Sequence, residues 1–308
     1  MSKLKLGSKS MLYPYPATIL TTVVDGKKNY MQVGFAGIVN ANPGMVAMGI
    51  GKHHLTTKAL LEGEVIGLAI VNEPMLLKAD YVGIRSGAKV DKSEVFETFT
   101  GDHGAVLIEE SPINLELKII KTMDLGGVDV TVIAEILEVY ADENVMTGNN
   151  PDIVKMNPVV LSMYENQYFT LGENVGRGWN LGFAYEKLEL FVRETIFQAF
   201  DKLEDVSYFK KHISDESKFQ FDGETYLGYE GFSLWYKQIN ELIQKEGLAH
   251  IITNFNAKKL QGNQFEVSFD VEMKATTKSG EKINHFVKER WILKEKEDTF
   301  VFVSYLAQ

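Results

Sequence analysis

Residues 29–62 read NYMQVGFAGIVNANPGMVAMGIGKHHLTTKALLE. The run Asn29–Phe35 has a strand composition and enters a loop of small residues, Gly34-Phe35-Ala36-Gly37. Asn42-Pro43-Gly44 is a turn cluster, and the apolar run Met45–Ile50 reads as a second strand. That strand ends in the polar stretch Gly51-Lys52-His53-His54-Leu55-Thr56-Thr57, which opens a helix. Glycines let a backbone approach a flat ligand, and the N–H groups of their neighbours can hydrogen-bond it. Lysine, histidine and threonine at a helix start bring donors, positive charge and the helix N-terminus together, a set suited to phosphate. The same residues also read as a solvated loop capped by Thr56.

Outward from this stretch the first half is strand-rich. Ala17–Val24 is β-branched and precedes the hairpin signal Asp25-Gly26. Further strands are expected at Glu64–Val71, Ile113–Met123 and Val128–Tyr140, the last two joined by the turn Asp124-Leu125-Gly126-Gly127. Short helices are expected at Thr56–Leu61, Pro74–Tyr81 and Ser93–Phe99. Many strands joined by turns imply an antiparallel β-barrel. The glycine-rich stretch Gly172–Gly182 marks a change of texture, so the expected domains are 1–180 and 181–308. Beyond it, Leu188, Phe191, Val192, Thr195, Ile196, Ala199 and Phe200 form one helical stripe. Helices are also expected at Val206–His212 and Phe232–Glu246, the latter ended by Gly247. Strands follow at Ala249–Lys258, Phe265–Met273, Lys282–Lys294 and Thr299–Leu306. Helices followed by a four-strand meander make an α+β domain, so the fold class is β and α+β.

The chain has 308 residues, a formal net charge of −10 and no cysteine. With 45% hydrophobic and 11% aromatic residues it has enough apolar surface for a core in each domain. The lack of cysteine excludes disulfides, thiolate nucleophiles and cysteine-bound metal clusters. Both halves are acidic and neither carries a basic stripe, which argues against a nucleic-acid partner. The start MSKLKLGSKSML lacks the apolar core of a secretory signal, and no run approaches a membrane span, so a cytoplasmic protein without a membrane partner is expected. Gly49-Ile50-Gly51 begins like a dinucleotide fingerprint, but His54 stands where the next glycine is required. There is no GxxxxGK[ST] or HExxH motif. His53 and His54 are adjacent and would point apart on an extended chain, so no metal site is expected.

The order of motifs resembles the flavin reductase-like, FMN-binding split-barrel family, particularly its flavoredoxin-type members. The segments that carry the resemblance are Tyr13-Pro14-Tyr15-Pro16, Asn29–Phe35, Asn42-Pro43-Gly44 and Gly51–Thr56. They continue with Asp80-Tyr81-Val82-Gly83, Ser86-Gly87, Val90-Asp91-Lys92, Pro112–Glu116 and Tyr168–Glu173, covering roughly residues 10–175. The resemblance implies FMN bound on the barrel at a homodimer interface. Gln32, Val33, Gly34, Phe35 and Ala36 would border the isoalloxazine edge. Gly51, Lys52, His53, His54 and Thr56 would hold the ribityl phosphate, and Asp91 and Lys92 would approach the ring or the partner subunit. The chain departs from the family pattern at Gln32, at His54 (commonly arginine) and at Val82 (commonly cysteine). The implied electron donor is NAD(P)H or another reductant, and the chain offers no nicotinamide-binding motif.

Residues 181–308 resemble the SnoaL-like domain of the nuclear transport factor superfamily, a cone of helices and a curved antiparallel sheet around an apolar pocket. On extended strands His250 and Asn254 share a face, as do His285, Glu289 and Trp291. Tyr229, Trp235 and Tyr236 add aromatic surface. These residues suit a small aromatic or cyclic ligand, with His250 or Asp222 as acid or base; the plainer reading makes them core and rim residues with satisfied hydrogen bonds, since no Asp–His pairing can be read from sequence. Two functions follow for the whole chain. One is an FMN-dependent oxidoreductase of the flavin reductase type, passing electrons to a flavin, quinone, metal or protein. The other is a non-catalytic binder of flavin or a small ligand, with the C-terminal cone used for ligand capture or assembly.

Overall fold

Two strands that are neighbours in sequence stand at opposite edges of one seven-stranded antiparallel sheet. In the computed structural model, which describes residues 2–221 and 223–308, the strands are β1 (Thr18–Val24), β2 (Lys27–Val33), β3 (Ala36–Ala41), β4 (Gly44–Gly51), β5 (Val65–Ile70), β6 (Ile113–Met123) and β7 (Asp129–Ala141). Their order is β2-β1-β5-β6-β7-β4-β3. Only Gly34 and Phe35 link β2 to β3. Three Cα–Cα steps span at most about 11 Å, so the two edges must come together at that point. The sheet rolls up around this seam, and the barrel expectation holds.

Period-two alternation puts the two faces of the sheet into different cores. Leu20, Met48, Ile66, Leu117 and Val132 fill one. Ile19 and Ala69, next in sequence to Leu20 and Leu68 of that core, pack with Tyr30 against Ala79 and Val82 of helix α1 (Leu76–Ile84). Burial on both faces explains why β1 reads as a continuous β-branched run. A ribbon of Tyr15–Pro16, Val159–Ser162 and Gln167–Thr170 completes this unit, Met1–Glu173. The helix expected at Ser93–Phe99 is absent. The Asp91 carboxylate accepts from the Ser93 amide and hydroxyl, making a turn, and Thr98–Thr100 then pairs with Val106–Ile108.

The second unit, Asn174–Gln308, begins with helix α2 (Leu181–Leu190), which runs on as a π-helix over Phe191–Phe197 and ends in the turn Gln198–Asp201. A 3₁₀ segment at Val206–His212 leads into β8 (Ile213–Phe221) and β9 (Glu224–Leu227). Helix α3 (Gly228–Leu242) is followed by β10 (Ala249–Lys259), β11 (Gln264–Thr276), β12 (Lys282–Lys296) and β13 (Thr299–Ala307). The sheet has six strands in the order β9-β8-β13-β12-β11-β10, with β8 and β13 parallel. The expected meander is thus extended by two strands. Their signal is weak because Ser214, Asp215 and Glu216 open β8, and only Ser217, Phe219 and Phe221 alternate inward.

Helix α3 starts and stops four residues earlier than its expected bounds. Gly228 begins it at φ +60, where a Cβ would lie 3.0 Å from the Asp215 carbonyl oxygen. Ile243 ends it: this residue is buried and bridges to Thr277, so Gly247 is not the cap. The core is aromatic. Phe197, Phe269, Phe302 and Tyr305 surround Trp291.

Candidate functional site

The barrel seam places most of the residues singled out in the first unit. Gln32 and Val33 end β2, Gly34 and Phe35 form the link, and Ala36 opens β3. Ala36 lies opposite Met48 on β4, and the Phe35 carbonyl accepts from the Gly49 amide at 2.9 Å. Gly51 ends the same strand, about 10 Å from Met48 at ~3.3 Å per residue. Both segments therefore belong to one end of the sheet. Gly34 and Gly37 have ordinary room for a Cβ, so crowding within the chain does not require them. Gly51 differs: its Cβ would stand 2.9 Å from the His54 ring and 3.0 Å from the His53 ring.

Those two rings lie together, not apart, because residues 52–54 turn instead of extending; their centroids are 4.0 Å apart. Even so, no cluster of three metal-ligating side chains occurs among the described residues. Burial, helped by the neighbouring charges of His53 and Lys92, holds the His54 imidazole below its ordinary pKa. Lys52 is on the surface, with Nζ 2.6 Å from Asp124 Oδ1 and 2.9 Å from the Gly127 carbonyl. Thr56 faces inward, and its hydroxyl accepts from Asn29 Nδ2 at 2.9 Å. It therefore anchors the helix start to β2.

Asp91 pairs with Lys27 at 2.7 Å beside a groove of about 460 Å³ that Lys28, Lys58 and Lys89 also line. Lys92 is buried, and its ammonium donates to the carbonyl oxygens of Tyr30, Val82 and Arg85. Burial pushes its pKa down to about 8. It fastens the end of α1 to β2 and has no donor directed at solvent.

Three distant segments meet at one hydroxyl. Tyr168 Oη is 3.0 Å from Gln32 Oε1 and 2.9 Å from Asp80 Oδ1. Burial raises the Tyr168 pKa to about 12, so the hydroxyl keeps its proton. Gln32 Nε2 is buried and has no protein acceptor. An unmet buried donor costs about 1–3 kcal/mol, so this N–H₂ calls for an acceptor from a bound group. The only sequence signal for Tyr168 and Asp80 is their membership of the motifs Tyr168–Glu173 and Asp80-Tyr81-Val82-Gly83.

In the second unit, a cavity of about 420 Å³ is lined by His250, His285, Trp235 and Glu289, with Phe197 and Phe200 among its aromatic walls. Trp291 lies beneath the lining, with Nε1 donating to Glu289 Oε2 at 2.6 Å. Tyr236 is core, its hydroxyl donating to the Glu204 carbonyl, and Tyr229 packs at the core edge under Lys210. Asn254 does not share the face of His250. A bulge between Thr253 and Asn256 puts it at φ +52 and turns it to Asp270, 2.6 Å away. Asp222 lies outside the described residues. Sequence reading missed Asp201, whose Oδ1 is 2.6 Å from His250 Nδ1.

Comparison with known proteins bears on the first unit. The profile of the family described as "Flavin reductase like domain" matches residues 10–172. Flavoredoxin from Methanosarcina acetivorans is 35% identical, with a TM-score of 0.57, covering 60% of this chain and 99% of that one. Flavoredoxin of Desulfovibrio vulgaris (Miyazaki F) is 29% identical, with a TM-score of 0.55, covering 59% and 100%. No curated protein matches the chain. The matched profile spans more than half of the sequence, and its residues are those that build the barrel and its seam: the chain belongs to the flavin reductase-like family.

Proposed function

We propose that the chain is an FMN-dependent oxidoreductase of the flavin reductase type, with NAD(P)H or another donor and a flavin, quinone, metal or protein as acceptor. The convergence of Gln32, Asp80 and Tyr168 at the seam, with the Gln32 amide left without an acceptor, carries this reading. The ring edge of a flavin is rich in acceptor nitrogens and carbonyls, so the free Gln32 N–H₂ fits it. Gln32 and the 33–36 backbone would border the ring, and Lys52, His53 and His54 would hold the phosphate. Bound FMN supplies hydride and single-electron chemistry. The protein's part is to position the ring, fix a neutral Tyr168 hydroxyl beside Gln32 and keep cationic donors at the phosphate end.

The purified protein is expected to be yellow and to bleach on anaerobic addition of NADH or NADPH. A yellow protein untouched by either would favour the binding reading, and a colourless one that ignores FMN would remove both. Lys52→Ala with His53→Ala is expected to weaken FMN binding at least ~10-fold, since two charge-assisted contacts are lost. Unchanged affinity in a titration would sink the phosphate assignment.

The depressed His54 pKa gives a pH dependence. A phosphate beside the ring favours the imidazolium, so the bound complex holds more protons than the free protein while this group titrates. Affinity therefore rises as pH falls and the imidazole takes up its proton, until protonation of the phosphate itself, whose second pKa is about 6, opposes it. His54→Asn should flatten that slope in FMN titrations at several pH values; a slope that persists assigns it elsewhere.

The seam edge also supports a homodimer. β3 is an edge strand with Ile38 and Val39 exposed, and a monomer mass by light scattering would overturn this. No helix among the described residues is long and apolar enough to cross a membrane, in keeping with a cytoplasmic, non-membrane reading that fractionation of cells would check. The second unit is read as a SnoaL-like cone whose aromatic cavity binds a small aromatic or cyclic ligand.

A further inference from the structure

A smaller cavity of the second unit lies away from the aromatic one. It holds about 260 Å³ between the start of α2 and the turn that joins β10 to β11. Glu295 and Phe265 border it, each six residues along its strand from Glu289 and Val271 of the aromatic cavity. At ~3.3 Å per residue that separation is about 20 Å, so the two cavities share no wall.

Its floor is apolar and its rim is basic. Leu181, Ala184 and Phe265 form the floor, and Phe265 belongs to the core beneath. Arg177, Lys187 and Lys259 stand on the rim. Lys187 follows Phe183 by four positions, so ammonium and ring lie on one helix face. Lys259 is opposite Phe265 in the β10–β11 ladder, which puts their side chains on one face of the sheet.

These cations lack acidic partners. Residues 174–308 contain more Asp and Glu than Lys and Arg. Even so, none of the three pairs with a carboxylate among the described residues. Lys259 Nζ donates to the Val175 carbonyl at 3.3 Å, which leaves it two further N–H groups. Arg177 and Lys187 donate to no acceptor among the described residues, so a whole guanidinium fork and a full ammonium remain available. Glu295 is the one acid among the described residues of the lining.

Unpaired cations around an apolar floor select the chemistry of the ligand. A neutral apolar molecule would strip water from the cations and return no hydrogen bond. An inorganic anion would leave the floor bare. A small organic acid satisfies both, and about 260 Å³ is just under the ~300–1,000 Å³ typical of sites for drug-sized ligands. Two carboxylate oxygens also match the guanidinium fork with parallel hydrogen bonds.

We propose that this cavity binds a small organic carboxylate with an aromatic or branched apolar body. Arg177 and Lys187 hold its charged end, and Leu181, Ala184 and Phe265 receive the body. Lys259 ties the segment that carries Arg177 to the end of β10 through the Val175 carbonyl. The adjoining groove shares Asn263 and Glu295 with the cavity. It adds Lys210, Lys211, Lys294 and Lys296 against Glu216 and Glu297, and so draws anions to the opening. The site shares no residue with the seam or the aromatic cavity, and the proposal depends on neither reading.

The test titrates the full chain with benzoate, phenylacetate and 3-methylbutanoate by calorimetry. At least one is expected to bind at one site per chain with a dissociation constant at or below about 1 mM. Benzamide, with the same ring and no charge, should bind at least ~10-fold more weakly than benzoate. Arg177→Gln with Lys187→Gln should weaken the acid at least ~10-fold; both side chains are exposed, so the fold is not at stake. Lys237→Gln with Lys245→Gln removes the same charge elsewhere on the unit and should leave the affinity unchanged. His250→Gln with His285→Gln should leave it unchanged too, since these are the basic groups of the aromatic cavity. A loss in the histidine pair would move the acid to that cavity and overturn the proposal. Unchanged affinity in Arg177→Gln with Lys187→Gln, or benzamide binding as well as benzoate, would also overturn it. Displacement of the acid by an equal concentration of inorganic phosphate would mark an ion site alone and do the same. No binding by any of the three acids removes the site.

Discussion

Trp291→Ala is expected to lower the unfolding free energy of the second unit by about 3–5 kcal/mol, the range for deleting a fully buried aromatic side chain. Trp291 is completely buried, stacked on Phe197 with centroids 5.6 Å apart and 20° between planes, and 4.6 Å from Tyr305. Its neighbours belong to the π segment and to β11 and β13, so collapse into the void would require several elements to move together. The substitution also strips one donor from the buried Glu289 carboxyl. Against a typical domain stability of about 5–15 kcal/mol, such a loss removes a large share of the native margin. Urea unfolding reads it directly. Trp291→Phe separates the two causes: it keeps most of the apolar contact and loses the N–H, for an expected cost of about 1–3 kcal/mol. A loss below about 1 kcal/mol for the alanine variant would show that the aromatic core repacks freely.

Lys92→Met is expected to cost the barrel about 3 kcal/mol. Methionine fills similar volume but leaves three carbonyl oxygens without their donor, each worth about 1–3 kcal/mol when buried and unmet. The gain from no longer burying a charge offsets part of this, as the lowered lysine pKa indicates. Two of the carbonyls, those of Val82 and Arg85, belong to the end of α1, and the third belongs to Tyr30 on β2. Tyr30 is two residues from Gln32, so the variant should also bind flavin more weakly. At roughly 2–4 °C per kcal/mol for a unit of this size, the melting temperature should fall by about 6–12 °C. An unchanged melting temperature would mean that water replaces the ammonium, and would make Lys92 free for the ring-facing role first expected of it.

The barrel is legible because its signals are local. Alternation and turn residues mark Ile113–Met123 and the strand after it with little ambiguity. The seam is less visible. Nothing in Gly34-Phe35 says that these residues join opposite edges of a sheet; that follows only from how β1, β5, β6 and β7 order themselves between. The family resemblance points Lys92 at the ring or a partner subunit, yet three backbone carbonyls hold its ammonium inside the barrel. Asn254 shows where periodicity misleads, since one bulge moved it to the other side of its strand. Asp201 and His250 are 49 positions apart on a helix end and a strand, and no spacing rule joins them. Their meeting depends on a π segment whose sequence, FVRETIF, looks like ordinary helix.

The parallel pairing of β8 with β13 bears on how the protein is made. About 85 residues separate the starts of these two strands. At ~5–20 residues per second of synthesis, β8 waits roughly 4–17 s for its central partner to be made. Through that interval β8 has only β9 beside it, and the aromatic residues destined for the core have no closed sheet to enter. The second unit should thus depend on holding chaperones during translation far more than its finished stability suggests.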